Sequence, residues 1–157
     1  MTWTGGCFCG EVRYQITGEA YNKTTCHCPS CRRATGAPAV SWFTVALDDF
    51  RLLLGIPAEF RSSAHVIRTF CDACGTAISY RNDAMPGEID VTLCSLDHPE
   101  AMAPADHTFT GYRLPWNVLG DGLPQYPGLR SEGISGGTAR TGSGANPGTP
   151  DSQSVAP

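Results

Sequence analysis

Apolar and polar residues alternate with a period of two in short segments of this chain separated by turn residues, leaving almost no room for helix. Val12, Tyr14 and Ile16 fall on one face of a predicted strand, with Arg13, Gln15 and Thr17 on the other. From Ala39, the residues Val40, Trp42 and Thr44, opposed by Phe43 and Val45, form an apolar run suited to a strand buried on both faces and ended by Asp48-Asp49. Phe50 to Gly55 and Glu59 to Ser62 are short strands split by Gly55-Ile56-Pro57, followed by strands at His65 to Phe70 and Thr76 to Arg81. Glu88 to Leu93 alternates cleanly, with Ile89, Val91 and Leu93 inward. Between these, Glu19 to Thr25 reads as a polar link, Cys26 to Cys31 as a tight turn around Pro29-Ser30, and Ala34 to Pro38 as another turn. Leu96 to Glu100 leaves room for one helical turn, Asp106 to Tyr112 returns to strand, and Leu114 to Tyr126 is a loop with aromatic anchors packed over the sheet. The expected fold is mainly β, made of short antiparallel strands with little helix.

Composition narrows this picture. At 157 residues and 16.7 kDa the chain corresponds to one domain able to bury its own core. Beyond residue 131 the character changes: Glu132 to Pro157 is rich in Gly, Ser, Thr and Pro with almost no large apolar side chain, too little to offset the entropy of ordering. The expected division is a domain over 1–131 and a disordered tail over 132–157. A net charge of -4 and only 17% charged residues offer no basic groove, which argues against a general nucleic-acid binder. Met1 to Cys7 has neither a basic nor an apolar leader region, and no segment approaches the roughly 18 apolar residues of a membrane span. A soluble protein of the reducing cytoplasm, without a membrane partner, is expected.

Eight cysteines in such a chain point to metal rather than disulfides. Cys7-Phe8-Cys9 and Cys26-His27-Cys28 leave one residue between thiols, where a disulfide is strained and chelation is easy. Seven cysteines form three groups: Cys7 with Cys9, Cys26 with Cys28 and Cys31, and Cys71 with Cys74. Seven ligands fit one closed four-sulfur site and one three-sulfur site with an open corner, the mark of a catalytic zinc. Counting alone also permits a ribbon of Cys28, Cys31, Cys71 and Cys74. A glycine after Cys9 and after Cys74, against Arg32 and Arg33 after Cys31, favours pairing the first group with the last. Cys94 stands apart and reads as a small buried hydrophobe.

Gly-Cys-x-Cys-Gly-x-Val-x-Tyr at 6 to 14, Cys-His-Cys-x-x-Cys-Arg-Arg-x-x-Gly at 26 to 36, Phe-Cys-x-x-Cys-Gly-Thr at 70 to 76, Leu-Asp at 96 to 97 and Asp-Gly-Leu-Pro-Gln-Tyr at 121 to 126 occur in this order. Together they resemble the glutathione-dependent formaldehyde-activating enzyme family, also called the centromere protein V/Gfa domain, over about residues 3 to 127. The resemblance implies an Mss4-like fold with two zinc ions: a structural one on Cys7, Cys9, Cys71 and Cys74, and a catalytic one on Cys26, Cys28 and Cys31. It also implies a carbon–sulfur lyase reaction, glutathione plus formaldehyde giving S-(hydroxymethyl)glutathione. Cys94-Ser95 before Leu96-Asp97 and the residues from Val45 to Phe70 depart from the family pattern.

Three thiolates blunt the Lewis acidity of zinc towards water but suit it to hold an incoming thiolate, whose proton is lost at neutral pH beside the metal. Arg32 and Arg33 are candidates to pair with the carboxylates of glutathione, or to neutralise the anionic metal sites. Trp42 and Trp116 are candidates for pocket walls, or ordinary packing aromatics. The His27 ring is expected to point away from the metal, and His107 to lie on a strand surface. Two other functions compete with the enzyme: a zinc-stapled binding module whose third group is closed by a protein ligand, and a thiol redox sensor.

Overall fold

The computed structural model describes residues 1–130, so the tail expected over 132–157 lies outside the described residues. The fold is mainly β. Strands β1 (Trp3–Gly6), β2 (Arg13–Ile16) and β5 (Phe50–Leu54) form a small antiparallel sheet in the order β1-β2-β5. A seven-stranded sheet contains β3 (Tyr21–Cys26), β4 (Val40–Ala46), β6 (Ala58–Ser63), β7 (Val66–Phe70), β8 (Ala77–Asn82), β9 (Glu88–Thr92) and β10 (Asp106–Thr108), in the order β10-β3-β4-β9-β8-β7-β6. Every pairing is antiparallel except β10 with β3. The strands expected at 50–55, 59–62, 65–70, 76–81 and 88–93 fall where the alternation placed them.

Register divides the large sheet into two unlike faces, because residues directly opposite each other across a ladder share a face. One face carries Phe43 opposite Val91 and Val45 opposite Ile89. These pack with Val12, Tyr14 and Ile16 of the small sheet, and with Leu93, Leu96 and Met102, into the main core. Inside it the Tyr14 hydroxyl bonds Ser95 Oγ at 2.7 Å, so a ring that is fully buried keeps a polar partner. The opposite face carries a row of directly facing residues, Thr44, Asp90, Tyr80 and Arg68, crossing four strands. That second face bears the candidate site.

Four expectations are corrected. Tyr21 to Cys26 is a strand, although its Tyr-Asn-Lys-Thr-Thr sequence reads as a polar link, because β4 and β10 on either side supply the ladder bonds. The supposed turn at Pro29 opens a helix, α1 (Pro29–Thr35): proline fits the first helical position, where its missing N–H costs nothing. Strand structure after residue 106 stops at Thr108; Phe109 takes a left-handed conformation and a 3-10 turn follows at Thr110–Tyr112. The segment before Tyr126 runs back beside β10, with His107 N–H donating to Pro124 O and Tyr126 N–H to His107 O, both at 2.8 Å. Its Trp116 is no anchor, being 68% exposed. No helix among the described residues is long and apolar enough to cross a membrane.

Candidate metal centres

Each thiol group is positioned by the local chain before any ligand is considered. The tip between β1 and β2 and the tip between β7 and β8 are built alike. Cys7 N–H bonds Val12 O and Gly10 N–H bonds Cys7 O; Cys71 N–H bonds Thr76 O and Gly75 N–H bonds Cys71 O. Gly10 and Gly75 hold φ of 83° and 75°, a region only glycine enters cheaply, which is why each Cys-Gly step turns the second thiol back towards the first. The two tips bring Cys7, Cys9, Cys71 and Cys74 together, with their sulfurs within 4.8 Å of one another. Cys7 to Cys9 is 3.4 Å and Cys9 to Cys71 is 3.7 Å. A disulfide needs about 2.05 Å, whereas sulfurs at 2.3 Å from one tetrahedral ion stand roughly 3.8 Å apart. The donors therefore fit a zinc ion, and they support one: Val12 N–H donates to Cys7 Sγ at 3.2 Å, and the hydroxyl and amide of Thr76 hold the Cys74 thiol down to about 5.

The second group comes from one place in the chain. Cys26 ends β3, Cys28 caps α1, and Cys31 sits in its first turn. Cys28 Sγ accepts from Cys31 N–H at 3.3 Å, a thiol in the position usually held by a serine or aspartate oxygen. All three cysteines are buried and unoxidised, their sulfurs lie within 4.8 Å of one another, and together they fit a metal. Hydrogen bonds from Cys26 and Cys31 push the Cys28 thiol down to about 2. Cys26 is pushed up by its bonds to Cys28 and Cys31 and by burial. For Cys31 a lowering bond from Cys26 is outweighed by Cys28 and burial. Thiols coupled this strongly titrate as a set, as metal-chelating cysteines do.

Around this group lie Val40, Trp42, Tyr80 and Phe109. Trp42 and Tyr80 are tilted against each other, with ring centroids 6.3 Å apart. Arg68 aims two terminal nitrogens at Cys31 Sγ, at 4.0 and 3.9 Å. Further along the same face, Thr44 Oγ1 donates to Asp90 Oδ1 at 2.6 Å, and burial pushes that carboxyl up to about 6. Of the arginines singled out from sequence, Arg33 is exposed, while Arg32 is half-buried with its Nε lacking a partner among the described residues. Trp42 reaches the thiol group; Trp116 stands on the surface.

One histidine, His107, and one cysteine, Cys94, depart from expectation, while the His27 ring turns to His107. His107 is 4% exposed rather than on the surface, because β10 is covered by the returning 123–126 segment. His27 is fully buried; its Nε2 meets His107 Nδ1 at 3.0 Å, and His107 Nε2 meets Asp121 Oδ2 at 2.8 Å. With Nε2–H of His107 donated to the carboxylate, Nδ1 accepts from His27 and leaves His27 Nδ1 unpartnered among the described residues. Burial and His107 hold the His27 imidazole below its usual range, hence neutral. Cys94, expected inside, is exposed. Arg68 and Tyr80 escaped sequence reading, since one polar residue in an alternating strand looks like any other. Asp121 lay inside a recognisable motif, the one available signal.

Residues 2–112 match the family described as glutathione-dependent formaldehyde-activating enzyme. Among solved structures, the chain resembles a Rhodobacter sphaeroides protein at a TM-score of 0.52 and 21% identity, covering 78% of this chain and 98% of that one. That likeness concerns the fold.

Proposed function

The chain belongs to the glutathione-dependent formaldehyde-activating enzyme family, and on that premise we propose that it is a zinc-dependent carbon–sulfur lyase joining a glutathione-like thiol to a formaldehyde-like aldehyde. One observation carries the reading: three buried thiols from six consecutive residues converge, with no fourth sulfur beside them among the described residues, while the other four metal-site thiols form a group of their own. Cys26, Cys28 and Cys31 would hold the zinc ion, which would lower the pKa of an incoming thiol so that it is a thiolate at neutral pH. The chemistry balances simply. The substrate sulfur gives up its proton and its lone pair forms the C–S bond, the carbonyl π pair moves to oxygen, and that oxygen takes up a proton; the reverse is the lyase direction. The protein's part is to hold its three sulfurs by the helix cap at Cys28, and to exclude water from them with Trp42, Val40 and Phe109. The group Cys7, Cys9, Cys71 and Cys74 is assigned a structural zinc.

Cobalt replacing zinc tests this. Glutathione should change the thiolate-to-cobalt absorption of the loaded protein, and glutathione with formaldehyde should yield the hydroxymethyl thioether. An unchanged spectrum would show a closed site and would leave a binding module as the function.

A further inference from the structure

The reaction leaves one guanidinium without a task. Arg68 on β7 stands directly opposite Tyr80 on β8, so both leave the sheet on the face of the three-thiol group. Three contacts hold it. Its guanidinium carbon lies 5.0 Å from the Tyr80 ring centroid, its Nε donates to Ser62 Oγ at 3.3 Å, and its two terminal nitrogens approach Cys31 Sγ at 3.9 and 4.0 Å. The sulfur contacts are long, so the terminal N–H groups keep most of their donor capacity. Arg13, Arg61 and Arg130 each pair with an aspartate, but among the described residues no carboxylate lies within ion-pair distance of Arg68. A half-buried, stacked and braced guanidinium with unspent parallel donors is a receptor for a planar anion.

We propose that Arg68 determines thiol specificity by taking a carboxylate of the incoming substrate, so that the site selects carboxylate-bearing thiols over neutral ones. The proposal rests on the reading of the three-thiol group as open to a thiol. Because the guanidinium lies within 4.0 Å of Cys31 Sγ, a thiol that reaches the group brings a carboxylate a few bonds away into range. Stacking on Tyr80 fixes the fork before substrate arrives, which lowers the entropy cost of the contact. Arg68 also offsets negative charge at the sulfurs, but that effect is blind to what else the thiol carries.

The test compares glutathione, its diester and mercaptoethanol on the cobalt-loaded protein, reading binding from the thiolate-to-cobalt absorption and KM from adduct formation. In the unaltered protein the diester should bind at least about tenfold more weakly than glutathione, a factor that corresponds to about 1.4 kcal/mol. Arg68→Met should weaken glutathione by a similar factor and leave mercaptoethanol within about twofold, with Arg68→Lys recovering part of the loss. Equal losses for all three thiols would reduce Arg68 to a counter-charge and overturn the proposal, as would no loss for glutathione. Should Arg68→Met fail to fold, the diester comparison decides alone. If the unaltered protein ignores every thiol, the open-site reading falls and takes this proposal with it; if it binds all of them alike, only the role of Arg68 falls.

Discussion

The four-thiol group is drawn from two hairpin tips, with Cys9 and Cys71 separated by 62 residues, and it ties the three-stranded sheet to the seven-stranded one. The three-thiol group comes from six consecutive residues and ties nothing together that the chain has not already joined. Their surroundings differ in the same sense. Cys7, Cys71 and Cys74 merge with the main core, whereas Cys26, Cys28 and Cys31 sit in a separate small cluster with Trp42, beside an arginine with no carboxylate partner among the described residues and a half-buried carboxyl. By chain entropy, a crosslink over about 62 residues stabilises by about 4 kcal/mol and one over five by about 2 kcal/mol. On the proposed reading, the same side-chain chemistry serves architecture in one place and reaction in the other.

Breaking the first group should have the largest effect. Cys9→Ser is expected to lower Tm by more than about 10 °C, or to unfold the protein outright, since about 4 kcal/mol is a large share of a domain's stability. Thermal melts of the zinc-loaded protein check this, and an unchanged Tm would end the assignment of a structural site. Cys28→Ser should instead keep a folded protein of nearly native circular dichroism while abolishing adduct formation. Equal loss of fold in both variants would erase the division between the groups.

Two smaller effects sharpen the contrast between the sheet's faces. Asp90 has a folded pKa of about 6, above the ordinary 3.8, so its carboxylate costs stability above pH 6 and the cost is relieved as pH falls from 6 to 4. Asp90→Asn, which can still accept the Thr44 hydroxyl, should stabilise by up to about 3 kcal/mol at pH 8 and by almost nothing near pH 4. Denaturant midpoints across that range measure it, and a gain independent of pH would remove burial as the cause. Trp116→Ala should shift stability by less than about 0.5 kcal/mol, because most of its ring is in solvent. Trp42→Ala, by contrast, should cost about 3–5 kcal/mol.

Strand content was legible because alternation is local: Val12, Tyr14 and Ile16, or Ile89 and Val91, announce a buried face within a few residues. The cysteine groups were legible because chelating spacings and Cys-Gly steps are local too. Tyr21 to Cys26 was not, because a strand of polar residues owes its form to two neighbours that lie 16 and 82 residues away. His107 was misplaced for a similar reason, its cover arriving from the 123–126 segment.

The sequence by itself determined a mainly β protein, its three clusters of closely spaced thiols and its family resemblance, since each of these depends on side chains a few positions apart; the joining of Cys7 and Cys9 to Cys71 and Cys74 came only with the tertiary structure. Tertiary structure alone decided that Arg68 faces Cys31 and that His27, His107 and Asp121 form one chain of hydrogen bonds. The physical reason is register. Which residue stands opposite which is set by the ladder as a whole, and a shift of one position sends a side chain to the other face of the sheet.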